Sequence, residues 1–299
     1  MLNAIKRGTL EIVSLAVVAV SVSALVAATP AHAEPVQIKP GLLRLNGNLE
    51  MPKGKTIGDN EVLLIVHGML SHYGQETIAA LQKNLVARAR SSLAVNLSLG
   101  IDDRKGPRAC DAIHDYAIAG AEREVANWVD WLYGQRARAV DILGFSRGGA
   151  QVAAMGPALP TVRRVVLVAP SFAISSEIAQ AYEKTYGHPL APALAEARKD
   201  PLKKLTVDFL NCKQAIVLGA TFLDSYAELP PRLAARTGHP TLVVIAGKDE
   251  VVTNLESKLP SDVRKVTIEG SSHYFPDLFG EDAADAIVKF LTREPPVTK

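Results

Sequence analysis

The segment Gly144-Phe145-Ser146-Arg147-Gly148 carries the strongest chemical signal in the sequence. It has the form G-x-S-x-G, follows an apolar run over Val140–Leu143 and precedes a helical pattern that starts near Gly149. A serine in such a strand–turn–helix segment has a strained backbone and presents its hydroxyl above the sheet, while the glycines avoid the collisions that a Cβ atom would cause. The pattern predicts that Ser146 is a catalytic nucleophile.

A serine hydroxyl needs a general base to remove its proton, and the chain has seven histidines. His273 follows a segment of alternating apolar residues that ends at Ile268, and it precedes the last helical pattern. That position is a loop at the carboxyl edge of a sheet, where it could reach the serine. His188 and His239 lie beside prolines, in or just after a long insertion. We therefore predict His273 as the base.

A carboxylate should orient the imidazole and stabilise its charged form. Asp249 comes directly after the apolar run Leu242–Ala246 and lies between the serine and the histidine in chain order. A turn aspartate that caps a helix would occupy the same kind of position. Glu250 and Asp224 are weaker alternatives. The order serine, aspartate, histidine favours Asp249.

Acyl transfer also requires hydrogen-bond donors for the developing oxyanion. The backbone N–H of Arg147, directly after the serine, is one candidate. The second is the backbone N–H of Met69, in a loop where Gly68 lets the chain turn inward after the first long apolar run. His67 and His72 lie in the same loop, and a structural hydrogen bond and a catalytic role are both open for them.

Apolar runs of four to six residues alternate with helical patterns along the chain. The helical patterns cover about Tyr116–Tyr133, a stretch that begins beside Ser146, and about Glu281–Leu291. This alternation predicts an α/β protein with a mostly parallel sheet and helices on both faces. The predicted strands are Val62–Val66, Leu93–Leu97, Val140–Leu143, Val165–Val168, Leu242–Ala246 and, at an edge, Val263–Ile268.

The segment Ser171–Arg236 interrupts the alternation with a largely helical pattern and scattered aromatic residues. It is too long for a simple connection between two elements. We interpret it as a helical cap inserted over the carboxyl ends of the strands. Residues 34–299 then form a single domain.

The residues described above resemble the α/β-hydrolase superfamily over roughly residues 60–293. The resemblance implies an eight-stranded sheet, a cap that shapes the pocket, and hydrolysis through an acyl-enzyme. Serine at position 146 disfavours the relatives that use aspartate or cysteine there. Two departures leave the subfamily open. Met69 stands where glycine-rich oxyanion loops continue with glycine, and the segment after Leu97 lacks the proline-and-glycine motif common in the family.

The segment 102–115 carries charges that include Arg104, Lys105, Arg108, Asp111 and Asp115. They lie near the expected mouth of the pocket and could contact a polar or anionic substrate. A solvated surface loop is the interpretation that the sequence favours, because charged side chains are mostly exposed.

Residues 1–33 have the pattern of a cleavable secretory signal peptide. Two basic residues at positions 6 and 7 precede an uncharged stretch of 17 residues, Ile12–Ala28. The segment Ala31-His32-Ala33 then supplies small residues for a cut before Glu34. A short membrane anchor is the alternative, but the stretch is at the lower limit for a span. We expect export to the periplasm or medium, and no stable membrane anchor after cleavage.

Two cysteines, Cys110 and Cys212, are too few for a disulfide scaffold. In an oxidising compartment they could form one disulfide, or they could be two buried thiols that never meet. Composition sets further limits. A formal net charge of +2 gives no electrostatic case for a nucleic-acid partner. We expect no metal or cofactor, because no ligand spacing or phosphate loop is present.

Together these features predict an exported serine hydrolase that cleaves a small-molecule carboxylic ester or a related acyl bond. Lipase, thioesterase and peptidase activities stay open, as does the oligomeric state. A non-catalytic binding module that retains the fold is the alternative, because fold alone does not guarantee activity.

Overall fold

The structure is a computed structural model that describes residues 32–293 of the 299-residue chain. The predicted signal peptide, residues 1–33, lies outside the described residues apart from its last two, which are part of the first strand. Within 32–293 the strands are β1 (His32–Ile38), β2 (Leu45–Met51), β3 (Glu61–Val66), β4 (Ser91–Val95), β5 (Ala139–Phe145), β6 (Val165–Val168), β7 (Lys204–Phe209), β8 (Cys212–Leu218), β9 (Thr241–Ala246) and β10 (Arg264–Ile268). The helices are α1 (Glu76–Ala87), α2 (Ile118–Gly134), α3 (Arg147–Met155), α4 (Ser175–Tyr186), α5 (Ala191–Lys199), α6 (Gly219–Ser225), α7 (Leu255–Lys258) and α8 (Leu278–Thr292).

Eight of the described strands form one sheet in the order β1-β2-β4-β3-β5-β6-β9-β10. Six of these strands, β4, β3, β5, β6, β9 and β10, pair in parallel, and β1 and β2 add an antiparallel edge. β10 forms the opposite edge, as its alternating sequence predicts. The predicted α/β fold with a mostly parallel, roughly eight-stranded sheet is confirmed.

Helices cover both faces of this sheet. On β3, Leu64 packs into the core layer that holds Trp128 of α2. Its neighbours Leu63 and Ile65 point the other way, into the layer that holds Ile287 of α8. All five side chains are fully buried. The strand is therefore apolar at successive positions because both of its faces are covered, which is why its sequence is a continuous apolar run.

The insertion after β6 contains α4, α5 and α6 together with an antiparallel hairpin of β7 and β8. The insertion contains the helices that its largely helical pattern predicts, but also a hairpin that the pattern does not predict. Leu210 and Asn211 connect the two strands and both have positive φ angles, 46° and 71°, as a two-residue hairpin turn of type I′ requires. The cap has a small core of its own, in which Phe209 and Phe222 are fully buried.

A disulfide joins Cys110, in the loop after β4, to Cys212 at the start of β8. The same loop also pairs with the hairpin through its backbone, because His114 N–H donates to Ile216 O at 2.8 Å and Leu218 N–H donates to His114 O at 2.8 Å. The β7–β8 hairpin, which lies in the middle of the insertion, is therefore bound directly to the loop after β4. This attachment adds to the chain connections at the two ends of the insertion.

Replacing both cysteines with alanine is expected to lower the free energy of unfolding by about 4–5 kcal/mol, because the disulfide closes a loop of about 100 residues in the unfolded chain. Urea denaturation of the wild type and the double variant measures this difference. Wild-type protein treated with reductant is the control and should match the variant. Alkylation of two free thiols in unreduced protein would contradict the bond.

Between residues 32 and 293, no helix combines the length and the apolar character that crossing a bilayer requires.

Candidate active site

Ser146 lies between the last residue of β5 and the first residue of α3. Its backbone has φ 53° and ψ −123°, a conformation that costs a non-glycine residue about 1–3 kcal/mol. Hydrogen bonds on both sides hold it there. Ser146 N–H donates to Val168 O at 2.9 Å, and Ser146 O accepts from the amides of Gly149 and Ser171 at 2.9 and 3.0 Å. The turn therefore has the strained geometry that the sequence pattern predicts.

The glycines of this turn are required by close backbone contacts. A Cβ atom on Gly148 would lie 2.2 Å from the carbonyl oxygen of His67, and one on Gly144 would lie 2.4 Å from the carbonyl oxygen of Gly148. Non-bonded carbon and oxygen atoms cannot approach so closely. The spacing G-x-S-x-G is thus a consequence of how tightly α3 packs against β5 and the loop after β3.

The structure brings Ser146, His273 and Asp249 into hydrogen-bond contact. His273 Nε2 lies 3.0 Å from Ser146 Oγ, and His273 Nδ1 lies 2.9 Å from Asp249 Oδ2. Asp249 follows β9 and His273 follows β10, so parallel pairing places both beyond the same edge of the sheet as Ser146. An Nδ1–H donated to the carboxylate leaves Nε2 free to accept the serine proton.

The Asp249 carboxylate is buried and well supplied with donors. The backbone amides of Val251 and Val252 donate to Oδ1 at 2.8 and 2.6 Å. Burial raises the pKa of Asp249, but the hydrogen bonds from His273 and from these amides outweigh it, and the pKa lies below its ordinary value. Glu250, which the sequence offers as a weaker alternative to Asp249, instead accepts a hydrogen bond from the backbone N–H of His273 at 3.1 Å. Asp224 lies on α6 in the cap.

The loop after β3 lies directly beside the serine, since a Cβ atom on Gly68 would be 3.3 Å from Ser146 Cβ. Met69 and Arg147, the two predicted oxyanion donors, both line a small cavity of about 30 Å³ in this place. In the part of the chain that the structure describes, neither backbone N–H has an acceptor. Both amides are therefore available to a ligand oxygen.

His67 fixes the orientation of one of these amides. Its ring is buried, Nδ1 lies 2.7 Å from Gly68 O, and Nε2 lies 2.9 Å from Arg104 Nη2 and 3.2 Å from Leu97 N. Two donors to Nε2 require that Nδ1 carries the proton and donates it to Gly68 O. The carbonyl of Gly68 and the N–H of Met69 belong to one planar trans peptide, so anchoring the oxygen also sets the direction of the N–H.

Arg104 belongs to the hydrogen-bond network around the candidate site, and the sequence does not predict this. The sequence favours a solvated loop, but the Arg104 guanidinium is buried and donates to His67 and, at 2.7 Å each, to Leu97 O and Ser71 O. Arg108 and His114 of the same loop are also buried, so the solvated interpretation is wrong for these three residues. Lys105, Asp111 and Asp115 are exposed as expected. No sequence signal separates the two groups, because burial here depends on contacts made by distant elements.

Burial and the nearby Arg104 charge lower the pKa of His67 to about 3, from an ordinary value of 6.5. Below pH 6.5 the His67 side chain binds a proton in the unfolded chain but not in the folded protein. The free energy of unfolding should therefore decrease as the pH is lowered from about 6.5 to about 3. His67→Gln should remove up to about 1.4 kcal/mol per pH unit from this slope. Urea unfolding of both proteins at pH 6, 5 and 4 tests this. Parallel slopes would contradict it.

Metal ligation has no support in the described part of the chain, where no group of three His, Cys, Asp or Glu side chains could hold an ion. By their chemistry, the groups assembled around Ser146 can serve as a nucleophile, a base, an orienting carboxylate and two amide donors. That set of groups is what acyl transfer through a serine requires.

Comparisons with known proteins agree on the type of fold. The model of a family described as the alpha/beta hydrolase family matches residues 63–290. A search of curated proteins found no match. Among solved structures, Est1E from Butyrivibrio proteoclasticus is similar, with 17% identity and a TM-score of 0.62 over 87% of this chain and 99% of that one.

Two further structures show the same likeness. The esterase Pf2001 from Pyrococcus furiosus has 13% identity and a TM-score of 0.58, covering 88% of this chain and 90% of its own. An E-2-(acetamidomethylene)succinate hydrolase has 19% identity and a TM-score of 0.55, covering 88% of this chain and all of its own. At these identities the likeness shows a shared fold.

Proposed function

Because the chain belongs to the alpha/beta hydrolase family, we propose that it is a serine hydrolase that cleaves a carboxylic ester or a related acyl bond through an acyl-enzyme. Hydrolase activity is supported by the family and by the esterases among its structural neighbours. The observation that carries the finer proposal is the chain of contacts from Asp249 through His273 to Ser146 Oγ, at 2.9 and 3.0 Å.

In the first half of the reaction, Ser146 Oγ attacks the substrate carbonyl carbon while His273 Nε2 takes its proton. The carbonyl oxygen becomes an oxyanion and accepts hydrogen bonds from the amides of Met69 and Arg147. Asp249 stabilises the imidazolium that has formed. When the tetrahedral intermediate collapses, the bond to the leaving group breaks, His273 returns the proton to the leaving oxygen, and the acyl group remains on Ser146.

The second half repeats these steps with water as the nucleophile. His273 takes a proton from a water molecule, whose oxygen attacks the acyl carbon, and the same two amides bind the second oxyanion. Collapse breaks the bond to Ser146 Oγ, which recovers its proton from His273. The products are a carboxylic acid and an alcohol, and every proton is carried by groups of this chain.

Labelling with a fluorophosphonate probe tests the role of Ser146, because the probe forms a covalent bond only with an activated serine. Wild-type protein is expected to be labelled and Ser146→Ala to remain unlabelled. Ser175→Ala, which changes an exposed serine of the cap, is the matched control and should be labelled like the wild type. Equal labelling of Ser146→Ala would remove the assignment. No labelling of any protein would favour a non-catalytic binding module.

Export is part of the same proposal and rests on the signal-like sequence of residues 1–33. The disulfide between Cys110 and Cys212 supports export, because disulfides persist in oxidising compartments. The intact mass of the protein recovered from outside the cytoplasm of the producing cell should correspond to a chain that starts at Glu34. A mass that includes residues 1–33 would contradict cleavage.

A further inference from the structure

A cavity of about 530 Å³ lies at the carboxyl end of β4, between the turn that joins β1 to β2 and the first half of α2. Cavities of about 300–1,000 Å³ are the size that holds a small-molecule ligand. The wall of the 530 Å³ cavity is mainly aliphatic, with contributions from Leu43, Leu45, Leu97, Leu99 and Ala121. Such a surface favours an apolar ligand, because burying apolar groups removes them from water.

This cavity adjoins the small cavity beside the oxyanion amides. The two share four lining residues, Leu97, Leu99, Tyr116 and Gln151. Gln151 lies four residues after Arg147 on α3 and therefore on the same face of the helix, about 6 Å further along. The large cavity thus begins about one helical turn from an amide that is proposed to bind the substrate carbonyl oxygen.

The position of His273 decides which part of an ester would enter. In the proposed mechanism His273 protonates the leaving oxygen, so the leaving group lies on the side of the histidine. None of the residues that line the large cavity belongs to the loops that carry Asp249 and His273. This absence from the lining favours the acyl side of the carbonyl for the cavity.

Two charged residues of α2, Arg123 and Glu124, also line the cavity. The Glu124 carboxylate is already bound within the protein, since Ser98 N–H donates to it at 2.6 Å and the Ser98 hydroxyl donates to its other oxygen. Apolar atoms form most of the cavity wall, so the cavity is suited to a hydrocarbon group.

Resting on the proposed function, we propose that this cavity is the acyl subsite and that the natural substrates are esters with an apolar acyl group of medium length. Each methylene that moves from water into such a site contributes a factor of about four to binding. Wild-type kcat/KM should therefore rise at least tenfold from 4-nitrophenyl acetate to 4-nitrophenyl octanoate. Equal values for the two esters would overturn the proposal.

Gly120 offers a substitution that fills the cavity without disturbing its wall. It lines the cavity from the first turn of α2, and a Cβ atom there would have no neighbour within 4 Å. Gly120→Phe should lower kcat/KM for the octanoate at least tenfold and change that for the acetate less than twofold. Gly120→Ala, which adds one carbon atom at the same position, is the size comparison and should lower kcat/KM for the octanoate less than Gly120→Phe does.

The outcomes separate this proposal from the catalytic one. A Gly120→Phe protein that loses both activities in parallel, or neither, overturns the acyl subsite while leaving Ser146 as the nucleophile. Hydrolysis of neither ester by the wild type, together with no fluorophosphonate labelling, overturns the proposed function and this subsite with it. Gly134→Phe, at the far end of α2 and away from the cavity, controls for an added aromatic ring.

Discussion

Replacing His273 with alanine is expected to lower kcat for 4-nitrophenyl esters by about 10⁵- to 10⁶-fold, the loss seen when the base of a serine triad is removed. Without the imidazole at 3.0 Å, the Ser146 hydroxyl keeps its proton and is a poor nucleophile. The leaving oxygen also loses its proton donor. KM should change little, because the ring acts on the transition state more than on the bound ester.

The His273 ring is buried, and its centroid lies 5.2 Å from the centroid of the Phe145 ring. Removing the imidazole therefore also leaves a buried cavity. Thermal unfolding must show that the variant is folded at the assay temperature. His188→Ala is the matched control, because His188 is a half-exposed histidine of the cap that pairs with Asp208. It should keep kcat within twofold of the wild type. A His273→Ala protein that retains more than 1% of kcat would refute the role of the base.

Asp249→Asn is expected to lower kcat by about 10⁴-fold with little change in KM. The asparagine amide can donate a hydrogen bond to His273 Nδ1, which stabilises the tautomer with its proton on Nε2. That tautomer cannot accept the serine proton. The amides of Val251 and Val252 would still hold the asparagine oxygen, so the loop geometry should be kept.

Glu250→Gln is the matched control for Asp249→Asn. Glu250 contacts the backbone N–H of His273 and not the ring, and a glutamine oxygen can replace that acceptor. Its kcat should stay within about threefold of the wild type, since it preserves a hydrogen bond of ordinary strength. A larger loss with Glu250→Gln than with Asp249→Asn would exchange the roles assigned to the two carboxylates.

The sheet could be predicted because the buried strands are continuous apolar runs. Val62–Val66 and Val165–Val168 are apolar at each position, since helices cover both faces of these strands. The sequence does not predict the β7–β8 hairpin, for a related reason. Its strands are only half buried, and exposed residues such as Lys204 and Gln214 break the apolar pattern, so no continuous apolar run marks these strands.

The candidate site was predictable where backbone strain dictates residue type. The glycines around Ser146 are required by atoms within 3 Å, and that requirement is visible as a motif. Asp249 and His273 could be placed because each follows a strand. The hydrogen bonds of Arg104 to His67 could not be predicted, because they join segments 37 residues apart through loops without a regular pattern. The cavity beside α2 could not be predicted either, because it is a space between several elements and no local sequence pattern marks it.

The contact between Ser146 and His273 joins positions 127 residues apart, and the strands β5, β6, β9 and β10 must all be in register to create it. The contact on which the proposed catalysis depends therefore exists only in the fully folded protein. A chain that ends before residue 273, or a refolding intermediate without its last strand, holds the serine but not its partner. Titration with an active-site reagent should accordingly count fully folded molecules, and its time course during refolding should follow the slowest step of assembly.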